Sequence, residues 1–349
     1  MIYAVALSII LFLQSIPKKQ YFLIIGSILT MIIGLRSVDI GIDTYQYELM
    51  FKSIINYDLQ SVLSSRVSSE LYSNILGFQI EIGYIIFNYI VSFVFGDNFQ
   101  MVLLIIAALY VFSISMVIYK YSDNPWLSFF LFVTFGYFTF AMSGLRQTMA
   151  MTFTVLSVLF LLRGRNLLFL LFVGIAATFH ISAVIFLPTL LFSKIKINKT
   201  SLIIFFLLAV ITYVYTVTVF GFLNLNARLQ YVTLETGGMR MYLFLLFSLL
   251  IGLFFKNKDD SRNDLYFFMI IATITLWPVA KMNPALFRIT FPFSIFIVIF
   301  VPNMLKTIKN EQLRLVCTTG FVVVAVYNFV TGFLLRPELQ LMPYRFFFE

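Results

Sequence analysis

Long apolar runs alternate with short polar breaks along this chain. Residues 202–222 and 289–301, for example, contain no charged side chain. Because an α-helix rises about 1.5 Å per residue, roughly 20 apolar residues cross the hydrocarbon layer of a bilayer. The pattern therefore predicts an all-α polytopic integral membrane protein with about 10–12 transmembrane or re-entrant helices. We expect a single integral membrane domain over residues 1–349.

The composition agrees with this pattern and excludes other classes of protein. Hydrophobic residues make up 61% of the chain and charged residues 11%, whereas a soluble domain carries about 25% charged residues. The single cysteine, Cys317, lies in an apolar run and cannot form an intramolecular disulfide or a thiolate cluster. The net charge of +9 is not concentrated in a soluble basic domain, so the bilayer and not nucleic acid is the expected partner.

The basic residues in the short polar breaks predict an orientation. Lysine and arginine are enriched in cytoplasmic loops, which places the basic residues of segments 18–19, 163–165 and 194–199 inside. The amino terminus of the chain then faces outward.

This orientation requires two segments to enter and return. Segments 163–165 and 194–199 share one side only if 167–192 forms a helical hairpin with His180 and Ser182 at its tip. A single tilted span is the alternative. By the same reasoning, the short segment 82–95 is a re-entrant or interfacial helix that begins after Glu81.

The outward-facing segments are expected to carry the functional site. Two external loops, 36–81 and 221–240, are rich in polar side chains, and long loops within compact proteins are commonly functional. With this topology the external segments contain eight arginines and two lysines. Guanidinium groups form planar forks that suit phosphate and carboxylate groups, so we expect an anionic ligand at this face.

The first loop begins with a group of side chains suited to glycan binding. Arg36 is a candidate for a phosphate contact, and the polar side chains that follow it are candidates for sugar hydroxyls. These are Asp39, Asp43, Thr44 and Tyr47. The alternative is an ordinary exposed loop in which the aspartates make local turn hydrogen bonds.

Other polar residues interrupt the apolar runs at membrane depth. Arg146, followed by Gln147, lies within a turn of an apolar helix, where an arginine needs a partner such as a lipid-linked phosphate. Snorkelling to the interface is the alternative for Arg146. His180 is the only histidine and can serve as a base or a phosphate contact, or simply as a helix-packing residue. Glu81 either accepts a proton or caps its helix.

Two further arginines lie near the expected outer face. Arg288 follows Pro284 at a helix entrance, and Arg240 ends the second external loop. No cofactor is predicted, because the chain contains no phosphate-binding loop, dinucleotide fingerprint or serine nucleophile elbow. With one histidine and one cysteine a zinc site is not expected, while a carboxylate-bound divalent ion is left open.

Taken in order, these motifs resemble the EpsG family of Wzy-type polysaccharide polymerases. Ile42 stands where that family usually has threonine or serine, but the acidic Asp43 is retained. The motifs that carry the resemblance are Arg36 with Gly41-Ile42-Asp43-Thr44 and Tyr47, Glu81-Ile82-Gly83-Tyr84, Leu145-Arg146-Gln147, Phe179-His180-Ile181-Ser182-Ala183, and Arg288.

The resemblance implies a membrane-embedded, GT-C-like and metal-independent glycosyltransferase in the bacterial inner membrane. Such an enzyme moves a growing glycan from undecaprenyl pyrophosphate to the non-reducing end of a lipid-linked repeat unit at the outer face. Its partners would be undecaprenyl-pyrophosphate-linked oligosaccharides and a chain-length regulator.

The chemistry that this resemblance implies divides the candidate residues into three groups. Three arginines are candidates for binding the pyrophosphate, and three other groups are candidates for catalysis. The pyrophosphate-binding candidates are Arg36, Arg146 and Arg288, the catalytic candidates are His180, Asp43 and Glu81, and the substrate-binding candidates are Asp39, Thr44, Tyr47, Gln147 and Arg240.

Two other functions are compatible with the same sequence. A flippase or transporter of lipid-linked oligosaccharides would also have many spans and arginines at membrane depth, although the chain shows no internal repeat. A membrane O-acyltransferase that modifies a surface glycan could use His180 as its buried histidine.

Overall fold

The computed structural model describes residues 2–63, 80–222, 237–256, 263–282 and 288–349. Within these ranges the chain is helical and contains no strand, apart from one isolated bridge between Arg36 and Phe346. The predicted external loops 36–81 and 221–240 lie partly outside the described residues.

Seventeen α-helices make up most of the described chain, and we number them in chain order. They are α1 (Ile2–Phe12), α2 (Lys18–Gly34), α3 (Thr44–Ile54), α4 (Leu59–Leu63), α5 (Ile82–Phe95), α6 (Phe99–Tyr121), α7 (Pro125–Thr134), α8 (Tyr137–Phe140), α9 (Leu145–Leu161), α10 (Asn166–Phe179), α11 (Thr189–Phe192), α12 (Lys199–Phe222), α13 (Gly237–Phe255), α14 (Asp264–Met282), α15 (Phe291–Ser294), α16 (Ile297–Lys306) and α17 (Glu311–Phe329).

The length and composition of these helices confirm the predicted class of polytopic membrane protein. Three helical segments among the described residues are long and apolar enough to cross a bilayer unaided: Phe99–Tyr121, Arg288–Lys306 and Glu311–Leu334. Many of the remaining helices are apolar but shorter. The exact number of crossings stays a prediction.

The bundle has two chemically different ends. At one end, Lys18 Nζ donates to the Tyr119 carbonyl at 2.8 Å, and Asn303 Nδ2 donates to the Tyr121 carbonyl at 2.9 Å. Segment 194–199 joins this group, because the Ile197 N–H donates to Asp264 beside Asn263 and Asn303. We call this the lysine end. The opposite end, where the candidate arginines lie, is the arginine end.

Residues 166–192 form a hairpin between the two ends. Helix α10 runs to the arginine end and stops at His180, whose backbone is extended with φ −158° and ψ 116°. The chain then returns through the 3₁₀-helix Ile181–Phe186 and α11. The Phe186 ring lies 6.1 Å from the Phe169 ring near the start of α10, so the two arms run side by side. This geometry is the predicted hairpin and does not fit a single continuous span.

Helix α5 has both of its ends at the arginine end. Glu81, just before it, contacts Arg146, and Gln100, just after it, donates to the Gly34 carbonyl at the end of α2. A 14-residue helix with both ends on the same side of the bundle agrees with the re-entrant or interfacial interpretation.

The carboxyl-terminal tail covers the beginning of the first polar loop. The Ser37 N–H donates to the Arg345 carbonyl, the Phe347 N–H to the Leu35 carbonyl, and the Gly41 N–H to the Gln340 carbonyl, each at 3.0 Å. These main-chain bonds fix residues 35–41, which lead directly to Asp43 and α3.

Candidate functional site

Glu81 forms the centre of a charged cluster at the arginine end. Its Oε2 accepts a hydrogen bond from Arg146 Nη1 at 2.5 Å, and its Oε1 lies 2.8 Å from His180 Nδ1. The Ile181 N–H also donates to Oε1, at 3.3 Å. One carboxylate therefore joins the start of α5, the start of α9 and the tip of the 166–192 hairpin.

Gly83 makes this junction sterically possible. A Cβ at position 83 would lie 2.4 Å from Thr178 Oγ1 and 2.7 Å from the Thr178 carbonyl oxygen, inside contact distance. Glycine thus lets the first turn of α5 pack directly on the last turn of α10. Thr178 lies two residues before His180, so this close approach brings Glu81 to the imidazole.

The cluster keeps Glu81 ionised at neutral pH. Partial burial opposes ionisation, but the hydrogen bond from His180 and the charge of Arg146 lower the pKa of Glu81 to about 2. So acidic a carboxylate is a weak base near neutrality. The geometry therefore favours Glu81 as the group that orients His180, and disfavours it as the proton acceptor.

Tyr47 supports the arginine of this cluster. Arg146 Nε donates to the Tyr47 hydroxyl oxygen at 3.3 Å, and the Tyr47 ring packs edge-on against Tyr84 with centroids 5.4 Å apart. Both rings are buried. We refer to Tyr47, Glu81, Arg146 and His180 as the Glu81 cluster.

A second charged pair lies beside the Glu81 cluster. Arg288 Nη2 is 3.8 Å from Asp43 Oδ2, and the two side chains are 38% and 25% exposed. Burial raises the pKa of the Asp43 carboxyl, while the guanidinium groups of Arg288 and Arg146 oppose that rise. The Arg288–Asp43 pair is longer and more exposed than the Arg146–Glu81 pair, so a ligand can separate its two side chains more easily.

A tight turn before α3 places Asp43 in this position. Gly41 has φ +92°, and a Cβ there would lie 2.0 Å from the Met142 carbonyl oxygen. Thr44 Oγ1 lies 2.8 Å from both the Ile40 and the Met142 carbonyl oxygens. The 40–44 turn is therefore fitted against the 142–144 turn that leads into α9.

Comparison with known proteins supplies the family. A sequence model described as the EpsG family matches residues 19–346, nearly the whole chain. The chain belongs to the EpsG family. No curated protein and no solved structure matches it.

Membership in the EpsG family supports a role of the polysaccharide-polymerase type and agrees with a membrane location. The matched range contains every residue of the Glu81 cluster as well as Asp43 and Arg288. The resemblance inferred from the short motifs is thereby confirmed.

Arg36 of this EpsG-family chain has a different environment from the other candidate arginines. It is 0% exposed, and its donors meet the carbonyl oxygens of Ile33, Ile40 and Met142. Nη2 also lies 3.4 Å from Thr44 Oγ1. Through these contacts the Arg36 side chain stabilises the 40–44 turn from inside the protein. Its complete burial argues against the expected role in binding pyrophosphate.

Two predicted substrate-binding residues lie apart from the Glu81 cluster in their contacts. Asp39 Oδ2 is 3.3 Å from Ser37 Oγ, which is the local turn contact given as the alternative. Arg240 donates to Thr331 Oγ1, and its guanidinium lies 5.4 Å from the centre of the Tyr327 ring. These contacts join Arg240 to the end of α17 and to the helical turn Val330–Leu334 that follows it.

Sequence reasoning missed the groups that hold the cluster together. The Met142 carbonyl and the carboxyl-terminal tail act through main-chain atoms, which leave no side-chain pattern in a sequence. Gly83 carried a signal, because a glycine in the first turn of an apolar helix indicates close packing. Among the described residues no group of three or more His, Cys, Asp or Glu side chains could hold a metal ion.

Proposed function

We propose that this EpsG-family protein transfers a growing glycan from undecaprenyl pyrophosphate to a hydroxyl at the non-reducing end of a lipid-linked repeat unit. The reaction would take place at the outer face of the bacterial inner membrane. The observation that carries this proposal is the contact of Glu81 with both His180 and Arg146. It combines a base oriented by a carboxylate with a cation at the end of the bundle that bears the polar loops.

His180 acts as the general base for the acceptor hydroxyl. A carboxylate accepts only, so the neutral imidazole that faces Glu81 carries its proton on Nδ1 and leaves the Nε2 lone pair available. As the acceptor oxygen attacks the anomeric carbon, its proton passes to Nε2. The resulting imidazolium is stabilised by Glu81.

The leaving group is undecaprenyl pyrophosphate. The bond between the anomeric carbon and the pyrophosphate oxygen breaks as the new glycosidic bond forms, and the electron pair stays with that oxygen. Arg288, the more exposed guanidinium of the site, meets this developing charge, and Arg146 contributes from the Glu81 cluster. Asp43, released from Arg288, is the second candidate for orienting the acceptor.

Substitution of His180 and Arg146 tests this proposal. We expect His180→Ala and Arg146→Ala each to abolish long polymer and to leave single repeat units on the lipid carrier, outside the inner membrane. Polymer length and lipid-linked repeats are measured by gel electrophoresis and mass spectrometry. Arg163→Ala is the matched control, because Arg163 is exposed at the lysine end.

The products distinguish the alternatives. Normal polymer length in both variants rejects the proposed site. Accumulation of repeats on the cytoplasmic side would instead indicate a flippase, and loss of acetyl groups from chains of normal length would indicate acyl transfer. These results are interpreted only if both variant proteins are present in the membrane in the same amount as the wild type.

A further inference from the structure

Gln147 occupies a position that does not suit a substrate ligand. Gln147 is the third residue of the motif Leu145-Arg146-Gln147, and its side chain was expected to bind substrate. In the structure it is 3% exposed, and its Nε2 donates to the main-chain carbonyl of Arg288 at 2.7 Å. A substrate group could reach this amide only by displacing protein.

The bond from Gln147 ties the segment that carries Arg288 to α9. Arg288 begins the 3₁₀-helix Arg288–Thr290, which continues into α15. The main-chain carbonyl of Arg288 accepts a hydrogen bond from the buried side-chain amide of Gln147, in the first turn of α9. This bond between two helical segments fixes the main chain of Arg288 relative to α9.

Two successive residues of α9 thereby hold both halves of the site. Neighbouring residues of a helix project about 100° apart, so Arg146 and Gln147 contact different partners. Arg146 holds Glu81, whereas Gln147 holds Arg288, whose guanidinium faces Asp43. The first turn of α9 is the element that sets the Glu81 cluster and the Arg288–Asp43 pair at a fixed separation.

We propose that Gln147 is a positioning residue that holds the Arg288 main chain so that its guanidinium faces Asp43 and the pyrophosphate of the donor. This inference rests on the proposed function for the role of Arg288, but the placement of Arg288 by Gln147 can be tested without activity. Gln147 itself touches no reacting atom.

A double-mutant cycle tests whether Gln147 acts through Arg288. Gln147→Met keeps the volume of the side chain and removes its donor. We expect it to slow the conversion of lipid-linked repeats into polymer by about fivefold to tenfold in membranes containing the full chain. In an Arg288→Ala background the same change should have no further effect. Thr148→Val, which removes an intrahelical hydroxyl bond from the next buried residue, should have the same small effect in both backgrounds.

Thiol cross-linking tests the geometry independently of the reaction. In a chain with Cys317→Ala, the pair Asp43→Cys and Arg288→Cys should be joined efficiently by a short bifunctional thiol reagent. We expect the added Gln147→Met change to lower the yield at least about threefold, whereas Thr148→Val leaves it unchanged. If Gln147→Met does not accumulate in the membrane, Gln147→Glu is measured instead, because an ionised carboxylate cannot donate to the carbonyl.

The two experiments separate the possible failures. Equal losses from Gln147→Met with and without Arg288 would show a direct substrate contact and overturn the inference. An unchanged cross-linking yield would overturn it as well. If Arg288→Ala alone leaves polymer formation intact, the proposed function of Arg288 fails, while the cross-linking still decides whether Gln147 places it.

Discussion

At the residue scale, three arginines that look equivalent in the sequence have different environments. Arg36 is fully buried among carbonyl oxygens, Arg146 is paired with Glu81, and Arg288 is partly exposed beside Asp43. A guanidinium that is fully buried and bonded to protein carbonyl oxygens is not accessible to a ligand. Arg36 therefore stabilises the main chain around it, Arg146 is held within the Glu81 cluster, and Arg288 is accessible to a ligand.

Glu81 gives a prediction at this scale. Glu81→Gln keeps the shape of the side chain but removes the charge that orients His180 and neutralises Arg146. We expect polymer formation to fall at least about tenfold. The measurement is the rate of polymer formation in membranes with equal amounts of each variant. Glu48→Gln, which alters the exposed pair of Glu48 with Lys52 on α3, should retain wild-type activity.

The same variant has a pH signature. Because the pKa of Glu81 is lowered from its usual value to about 2, its ionisation stabilises the folded state fully above about pH 4.5 and less as the pH falls toward 2. The difference in Tm between wild type and Glu81→Gln in detergent should therefore shrink as the pH falls from about 4.5 to about 2.5. A difference that grows over this interval would contradict the described ion pair.

At the scale of elements, the site depends on short segments that do not cross the bundle as simple spans. The residue before α5 supplies Glu81, the hairpin tip supplies His180, and the first turn of α9 supplies Arg146. Broken or returning helices are tolerated in membranes where their free backbone groups are bound by protein or face a polar cavity. Here the Glu81 carboxylate accepts the Ile181 N–H at the break in the hairpin.

The contact between α5 and α10 gives a prediction at this scale. Gly83→Ala would place a Cβ against the Thr178 main chain and push Glu81 away from His180. We expect at least about a tenfold loss of polymer formation, since misplacement of a catalytic group by about 1 Å is costly. Gly174→Ala is the matched control in the same hairpin, because a Cβ there meets no atom within 4 Å. Equal activity of the two variants would show that the close approach is not needed.

At the scale of the whole molecule, the described residues separate into a lysine end and an arginine end. The lysines of segments 18–19 and 194–199 lie opposite the Glu81 cluster, as the charge pattern predicted. The carboxyl-terminal tail lies at the arginine end, where it pairs with residues 35–41. Which end faces the cytoplasm stays a prediction of the positive-inside rule.

Thiol labelling of single cysteines decides this orientation. In the Cys317→Ala background, we expect Tyr45→Cys to react with a membrane-impermeant reagent in intact cells. We expect Lys194→Cys to react only after the membrane is permeabilised, because it lies at the lysine end. Both wild-type residues are exposed. The reverse pattern would place the Glu81 cluster inside the cell and reject transfer at the outer face.

The sequence by itself determined the class of fold and the family. Hydropathy is a local property, so apolar runs of sufficient length predict membrane helices wherever they pack. The order of short polar motifs was enough to indicate the EpsG family, and the charge pattern indicated the hairpin at 167–192. Each of these features follows from the linear order of residues, without knowledge of which segments pack together.

Only the tertiary structure decided which polar residues meet. The Arg146 guanidinium and the His180 imidazole contact the Glu81 carboxylate from positions 65 and 99 residues further along the chain, and no periodicity encodes these contacts. Arg36 and Gln147 were placed among the ligand-binding groups because their side chains are polar. Their partners include main-chain carbonyls, those of Ile33, Ile40 and Met142 for Arg36 and that of Arg288 for Gln147. Every residue possesses such a carbonyl, so a sequence cannot single these out.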